Sequence, residues 1–204
     1  MTVPVVIVDY GMGNLFSVAS ALRYLGAAPS VSNDPDVVAR SSRTILPGVG
    51  SFRLAMERLR AAALDDAMRS ALSAGGTLLG ICLGMQLLGA SSTEDGTTEG
   101  LGFVPNVVGR FDDSSGLKVP HVGFNEVAVT DRTGLFAGLP DTPHFYFVHS
   151  YRMDEGSLSC PRATCDYGGR FLAAFDAGQV RGTQFHPEKS QSDGLTVLRN
   201  FLRA

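Results

Sequence analysis

The first ninety residues alternate strand-like segments, the first of them a β-branched apolar run, with helical patterns, and this alternation constrains the fold more than any other feature of the sequence. β-Branched runs predict buried strands, and apolar residues three and four positions apart predict amphipathic helices. The predicted strands cover residues 3–11, 28–32, 43–46 and 77–81. The predicted helices cover 14–25 (with Asn14 as N-cap and Gly26 as the stop), 52–74 and a start at 83–88. Strands that alternate with helices imply a parallel sheet with helices on both faces.

The second half of the chain has a different pattern. Short segments separated by Gly, Asp and Pro turns predict antiparallel hairpin strands. These strands cover residues 106–111, 126–130, 145–151, 163–166, 171–175 and 180–184, and a last helix covers 192–203. We therefore expect one α/β domain over residues 1–204, with a mixed, mostly parallel sheet and antiparallel additions in its second half.

Composition and charge exclude several classes of function. The net charge of −3 comes from interspersed acidic and basic residues, so neither nucleic acid nor a membrane surface is an expected partner. The N-terminus has no positively charged region and therefore does not resemble a signal peptide. Three cysteines, an odd number, indicate a reduced, cytoplasmic protein. Two of them, Cys160 and Cys165, have no further ligands nearby, so we expect no metal site and a structural role for both.

The third cysteine, Cys82, has the surroundings of a catalytic nucleophile. It lies between a predicted strand and a predicted helix, with Gly80 and Gly84 two residues away on either side. This is the pattern of a nucleophile elbow, whose sharp turn exposes the nucleophile and leaves no room for side chains at the flanking positions. A helix N-terminus also favours a thiolate. The backbone N–H of Leu83 would point toward the same place and stabilise an oxyanion.

A nucleophilic cysteine needs a base and a group that orients the base. His186 follows a predicted strand, and Glu188 comes two residues later. Side chains alternate along an extended segment, and Pro187 favours extended geometry before it, so both side chains should share one face. The chain order of nucleophile, histidine and acid differs from that of the α/β-hydrolases, which argues against an esterase or lipase. The residues therefore predict a Cys-His-Glu triad.

Several segments resemble those of one known family. GICLGMQ at 80–86 and HPEK at 186–189 resemble the class I, or triad, glutamine amidotransferases. The finer segments resemble the glutaminase subunits of imidazole glycerol phosphate synthases: DYGMGN at 9–14, LPGVGSF at 46–52, PHVGFN at 120–125, FYFVHSY at 145–151 and GTQFHPEKSQ at 182–191. The match follows the chain in order from residue 9 to the last predicted helix. It implies a three-layer, flavodoxin-like fold.

The resemblance also implies a reaction. Cys82 would attack the side-chain amide carbon of L-glutamine, and His186 would pass the thiol proton to the departing ammonia while Glu188 orients it. Water would then release glutamate from a thioester, with no cofactor. The oxyanion would be held by Leu83 together with Val49 and Gly50, whose loop is expected to flip its peptide in the active state.

Further residues are assigned by the same resemblance. The residues that would hold glutamine are Gly48, Gln86, Glu94, Ser150 and Tyr151. The residues that would face a partner at the ammonia exit are Asn14, Asn125, Tyr146 and Lys189. The implied partner is a (β/α)8 cyclase that makes imidazole glycerol phosphate and AICAR from PRFAR in histidine biosynthesis. A chain of 204 residues leaves no room for an acceptor domain, which is consistent with a heterodimer.

Two features depart from the subfamily pattern, Phe124 and the unmatched pair Cys160 and Cys165. Phe124 stands where the subfamily usually carries tryptophan, and it lacks the indole N–H donor. Phenylalanine there is also a feature of related glutaminase subunits that serve bacterial surface-sugar synthases, so such a partner is an alternative. A cysteine hydrolase or protease with the same elbow, and a scaffold without activity, are more distant alternatives.

Overall fold

A computed structural model describes residues 2–112, 116–156 and 158–203. Its helices are α1 (Leu15–Tyr24), α2 (Pro35–Ala39), α3 (Phe52–Ala61), α4 (Leu64–Ser73), α5 (Leu83–Leu87) and α6 (Gln191–Arg203). Its strands are β1 (Pro4–Val8), β2 (Ala28–Ser32), β3 (Arg43–Gly48), β4 (Thr77–Cys82), β5 (Ser91–Ser92), β6 (Thr98–Glu99), β7 (Val107–Arg110), β8 (His121–Glu126), β9 (Ala128–Val129), β10 (His144–His149), β11 (Tyr151–Met153), β12 (Arg162–Asp166), β13 (Arg170–Ala177) and β14 (Val180–Thr183). Two 3-10 turns cover Gly134–Phe136 and Pro187–Lys189.

An eight-stranded sheet runs through the middle of the molecule in the order β2-β1-β3-β4-β14-β13-β12-β9. The first five strands pair in parallel, and the last three are antiparallel additions. This confirms the predicted mixed, mostly parallel sheet. The expectation of hairpins throughout the second half is wrong for β14, which also pairs in parallel with β4 and so brings the end of the chain beside the predicted nucleophile.

Apolar side chains pack on both faces of this sheet. On one face α1 and α6 bury Leu22 and Phe201, and on the other α3, α4 and α5 bury Phe52, Met68 and Met85. Burial of this kind is the main favourable term in folding, at roughly 25 cal/mol per Å² of apolar surface. The result is three layers, helix on sheet on helix. No helix among the described residues has the length and apolar character that crossing a membrane requires. The single-domain expectation stays a prediction.

The prediction of one continuous helix over 52–74 is wrong. The helix breaks at Ala63, which has the left-handed φ of 53°, and continues as α4. Leu59 is the last buried residue of α3, and Leu64 is the first buried residue of α4. They are five positions apart in the sequence, so in an unbroken helix they would be about 140° apart around the axis. The break at Ala63 rotates α4 about its axis relative to α3, so that the buried sides of both helices face the sheet.

Two smaller sheets also differ from the sequence prediction. β8 and β10 pair antiparallel, and the strand expected over 145–151 ends at His149. After a bend at Ser150 the chain continues as β11, which pairs with β7 in a four-stranded sheet. Most of β8 was not predicted as a strand, and the segment expected over 126–130 forms only its end and the two-residue β9. The short helix α2 was not predicted either.

Candidate active site

The predicted elbow is present where β4 meets α5. Cys82 ends the strand and has φ 56° and ψ −113°, a conformation that side-chain-bearing residues rarely adopt. A Cβ on Gly80 would lie 2.7 Å from the backbone of Gly84, and a Cβ on Gly84 would overlap the carbonyl oxygen of Leu46. The glycines are therefore required because α5 packs directly on β3 and β4. Backbone strain of this kind is typical of functional sites.

His186 and Glu188 form a buried pair next to the elbow. The distance from His186 Nδ1 to Glu188 Oε1 is 2.8 Å, and the two side chains are 3% and 1% exposed. The prediction that they share one face of an extended segment is wrong, because Pro187–Lys189 forms a 3-10 turn. Proline fits the first position of such a turn, and the turn folds the carboxylate back onto the ring.

The electrostatics of His186 favour its protonated form. Burial lowers the pKa of this imidazole, but hydrogen bonding and charge from Cys82 and Glu188 outweigh burial and raise the pKa to about 9. The Nε2 atom is buried, and no group other than the Cys82 thiol is placed to interact with it. Glu188 therefore fixes one ring nitrogen, and the other nitrogen is available to exchange a proton with Cys82.

A cavity of about 450 Å³ opens at the elbow. This volume falls within the range of small-molecule sites in proteins. The predicted site residues that line it are Val49, Gly50, Cys82, Leu83, Gln86, Glu94, Ser150 and Tyr151. Pro120, Val148 and His149 complete the lining. Gly48 and the buried side chains of His186 and Glu188 do not line this cavity.

The loop after β3 lies beside the nucleophile. Gly48 pairs with Cys82 in the parallel register of β3 and β4, which brings the 49–50 segment to the mouth of the cavity. Gly50 has φ 98°, a value that favours glycine. Leu83 is the first residue of α5, so its N–H has no intrahelical acceptor and can bind an anion.

Two of the predicted glutamine-binding side chains already have protein partners. Glu94 Oε2 accepts a hydrogen bond of 2.8 Å from the N–H of Phe52 at the start of α3. Gln86 Nε2 donates to the carbonyl oxygen of Tyr151 and to Oε1 of Gln184, each over 2.9 Å. These contacts fix the orientation of both side chains at the cavity before any ligand arrives.

Three buried polar residues at this site were not predicted from the sequence. Gln184 Nε2 lies 3.8 Å from Cys82 Sγ, and its side chain is fully buried. His121 and His149 form a buried histidine pair, with 3.2 Å between His121 Nδ1 and His149 Nε2. All three lie in segments that carried the family resemblance, so polar side chains inside otherwise apolar strands were the available signal.

Two of the four predicted exit residues lie side by side. The ammonium group of Lys189 lies 5.8 Å from the centre of the Tyr146 ring. Asn14 caps α1 by accepting from the N–H of Ser17 and is exposed. Asn125 pairs in register with the buried Phe145, so its side chain points to the opposite face of the β8–β10 hairpin from Tyr146.

No group of three or more potential ligands (His, Cys, Asp or Glu) that could hold a metal ion occurs within the described ranges. Cys160 and Cys165 are both free thiols. Burial raises the pKa of Cys165 to about 12, with the nearby Asp166 adding to the shift. An inert thiol of this kind fits the structural role expected for Cys165.

Comparison with known proteins places the site in a family. Residues 6–204 match the family described as Glutamine amidotransferase class-I. Imidazole glycerol phosphate synthase subunit HisH of Rhodopirellula baltica is 44% identical over 200 residues, covering 98% of this chain and 97% of that protein. HisH of Methanosarcina barkeri is 43% identical over 200 residues, covering 97% of each. Imidazole glycerol phosphate synthase hisHF, chloroplastic, of Arabidopsis thaliana is 42% identical over 97% of this chain but only 34% of its own length.

Solved structures share the fold at lower identity. A putative GMP synthase subunit from Thermoplasma acidophilum aligns with a TM-score of 0.73 at 21% identity, covering 100% of this chain and 94% of that one. A structure described as a glutamine amidotransferase aligns with a TM-score of 0.76 at 20% identity, covering 97% of both chains. The expected three-layer fold is thereby confirmed. The chain belongs to the class-I glutamine amidotransferases and, within them, to the HisH subunits of imidazole glycerol phosphate synthase.

Proposed function

We propose that this chain hydrolyses L-glutamine to L-glutamate and ammonia and passes the ammonia to a (β/α)8 cyclase subunit. The observation that carries the proposal is the arrangement of Cys82 in a strained elbow, open to a cavity on one side and backed by the His186–Glu188 pair on the other. A nucleophile, a base and a group that orients the base are the parts that acyl transfer requires.

In the proposed reaction the Cys82 sulfur attacks the carboxamide carbon. The carbonyl oxygen becomes an oxyanion, to which the free N–H of Leu83 and the 49–50 loop would donate. His186, protonated on Nε2, gives its proton to the amide nitrogen, and the C–N bond breaks to release ammonia and leave a thioester. Water, deprotonated by the now neutral His186, attacks the thioester and releases glutamate. Glu188 holds the ring throughout.

Recognition of glutamine would come from the same cavity. Glu94 uses one carboxylate oxygen on the N–H of Phe52, which leaves the other to pair with the substrate ammonium. The bend at Ser150 presents backbone groups of Ser150 and Tyr151 to the cavity. A site built to pair both ends of an amino acid selects against analogues that lack one of them.

The proposed partner would dock on the outer face of the β8–β10 hairpin. Val122, Phe124 and Val148 are 53%, 50% and 37% exposed there, next to Tyr146 and Lys189. Adjacent apolar side chains exposed on one face are typical of an interaction surface. The Arabidopsis relative, of which this chain matches 34%, supports a partner that can also be joined in one polypeptide. We propose that the complex is cytoplasmic. It would convert PRFAR into imidazole glycerol phosphate and AICAR.

The test measures glutamate release by the chain mixed with purified cyclase and its ligand. Cys82→Ser should abolish release, because a serine hydroxyl ionises far less readily than a cysteine thiol and is the weaker nucleophile at this site. Cys165→Ser is the matched control, since Cys165 is a buried free thiol elsewhere in the fold, and it should keep wild-type activity. Equal rates for wild type and Cys82→Ser would refute the proposed mechanism.

The partner is tested separately by isolating the complex from native cells. Co-purification of a cyclase that converts PRFAR is the expected result. Co-purification of a surface-sugar synthase instead would support the alternative suggested by Phe124. Peptidase activity without glutaminase activity would show that the chain is a cysteine hydrolase of another kind.

A further inference from the structure

Gln184 contacts the proposed nucleophile from the neighbouring strand. It follows β14 directly, and because β14 pairs in parallel with β4, the side chain reaches the end of β4, where Nε2 lies 3.8 Å from Cys82 Sγ. We propose that Gln184 is a further catalytic residue, whose amide N–H donates a hydrogen bond to the Cys82 sulfur and holds it for attack. The proposal rests on the proposed function only in taking Cys82 as the nucleophile. Such a bond strengthens when the sulfur carries negative charge.

The surrounding contacts determine which end of the Gln184 amide faces the sulfur. The carbonyl oxygen of Tyr151 is an acceptor only, so the Gln86 atom that contacts it must be the donor Nε2. The second hydrogen of that Nε2 points to Gln184, which must therefore present its oxygen to Gln86 and its nitrogen to Cys82. The reverse orientation would set two NH2 groups against each other and an oxygen against the sulfur.

The buried histidine pair fixes the same carbonyl from the other side. His149 Nδ1 lies 2.8 Å from the carbonyl oxygen of Tyr151, so it carries the hydrogen and Nε2 accepts. His121 Nδ1 then donates to that Nε2, and His121 Nε2 accepts from Asn125 Nδ2 over 3.5 Å. Burial lowers the pKa of His121 to about 4 and that of His149 to about 3, which keeps both rings neutral.

The donor and the acceptor of every hydrogen bond between Asn125 and the Cys82 sulfur are therefore determined. His121 and His149 are positioning residues, because they act on Cys82 only through the Tyr151 carbonyl and the two glutamines. His121 is itself fixed by stacking on Tyr167 at 3.9 Å between ring centres. A fully satisfied buried network of this kind restricts its members to one arrangement.

The experiment follows alkylation of Cys82 by iodoacetamide at pH 7, quantified on the Cys82 peptide by mass spectrometry. Alkylation needs no glutamine and no partner, so it reports the contact independently of turnover. Gln184→Met keeps the size of the side chain and removes the donor, and it should slow Cys82 alkylation about tenfold. Gln184→Glu keeps the acceptor for Gln86 and should be at least as slow. Thr183→Val is the matched control, because Thr183 is equally buried on β14 but its hydroxyl has no partner.

The outcomes separate the possibilities. Slow alkylation in both Gln184 variants, with wild-type melting temperatures and an unchanged control, supports the proposal. A wild-type rate in Gln184→Met overturns it, and slowing only in Gln184→Glu also overturns it because charge repulsion would then be the cause. If the Met variant does not fold, Gln184→Leu takes its place as an uncharged variant without the donor, and a wild-type alkylation rate in it overturns the proposal.

Turnover provides the readout that distinguishes the two proposals. With cyclase present, loss of the donor should lower kcat for glutamate release while KM for glutamine changes little. If the wild type releases no glutamate although the alkylation pattern holds, the proposed function fails and the contact stands. If the wild type is active but the Gln184 variants match it in both assays, the contact fails and the proposed function stands.

Discussion

Replacing Glu188 by glutamine removes one buried negative charge and changes almost nothing in size. The carboxylate lies 2.8 Å from Nδ1 of His186, and both side chains are almost completely buried. Burial alone would lower the pKa of His186, and Cys82 with Glu188 raises it to about 9. A hydrogen bond to a charged group is worth roughly 1.5–3 kcal/mol, and one pKa unit is about 1.4 kcal/mol. Glu188→Gln should therefore lower the pKa of His186 by about one to two units.

This shift has a direct consequence for the proposed acid step. At pH 8 a group with a pKa of about 9 is about nine-tenths protonated, whereas a pKa between about 7 and 8 leaves roughly a tenth to a half protonated. Fewer molecules could then protonate the departing ammonia, and the neutral amide would also orient the ring less strongly. We expect glutamate release at pH 8 to fall by about ten- to a hundredfold.

The pKa is measured without turnover, by NMR titration of protein labelled at histidine Cε1. The His186 signal is assigned from its loss in His186→Asn. Glu57→Gln is the matched control, since Glu57 lies exposed on α3 and the same substitution there should leave the His186 titration unchanged. If His186 titrates at the same pH in Glu188→Gln as in the wild type, the carboxylate does not set its charge and the reasoning is refuted.

Three further predictions concern the elbow, the buried histidine pair and the exit. Gly84→Ala should destabilise the fold by roughly 3 kcal/mol or more in urea unfolding, because its Cβ would overlap a carbonyl of β3, whereas Gly109→Ala, with open space around it, should cost less than about 1 kcal/mol. The two buried histidines stay neutral in the fold but gain protons in the unfolded chain below pH 6.5. The free energy of unfolding should therefore fall as the pH drops from about 6.5 to 4, by on the order of 3 kcal/mol per histidine, and His121→Phe should flatten that slope. Lys189→Ala should leave glutamate release intact but lower the cyclase product formed per glutamate, and unchanged coupling would remove this residue from the exit.

The parallel half of the fold was predictable because its signals are local. β1 is a short β-branched run, β3 and β4 contain short apolar runs, and caps such as Asn14 lie within three residues of the groups they bind. The break at Ala63 was not predictable from apolar spacing alone. Nothing local at that position requires a left-handed residue, and the break follows from the way α3 and α4 both pack on the sheet. β8 was missed because its Gly123 and alternating polar residues resemble a turn.

The residues of the candidate site also divide into those that local sequence predicts and those that only the tertiary fold brings together. The elbow was predictable because Gly80, Cys82 and Gly84 lie within one turn of chain. Gln184 is 102 positions from the cysteine it contacts, and the two strands meet only through the parallel pairing of β14 with β4. Residue type alone also places a glutamine at the surface more often than in a core, and it gives a histidine only intermediate burial. Their burial is set by the tertiary fold, which a single sequence does not display.

The structure shows where Phe124, which departs from the subfamily pattern, lies in the fold. Phe124 is half exposed and packs edge-to-face on Tyr146 at 5.6 Å between ring centres, on the outer face of the hairpin. Side chains alternate along β8, so its neighbours in the strand that reach the buried network, His121 and Asn125, point the other way. Loss of an indole N–H at this position therefore removes a donor from the proposed docking face and none from the network that ends at Cys82. Most of the proposed docking face therefore lies on the side of these two strands that is turned away from the network, and Val148 belongs to both the docking face and the lining of the cavity at Cys82.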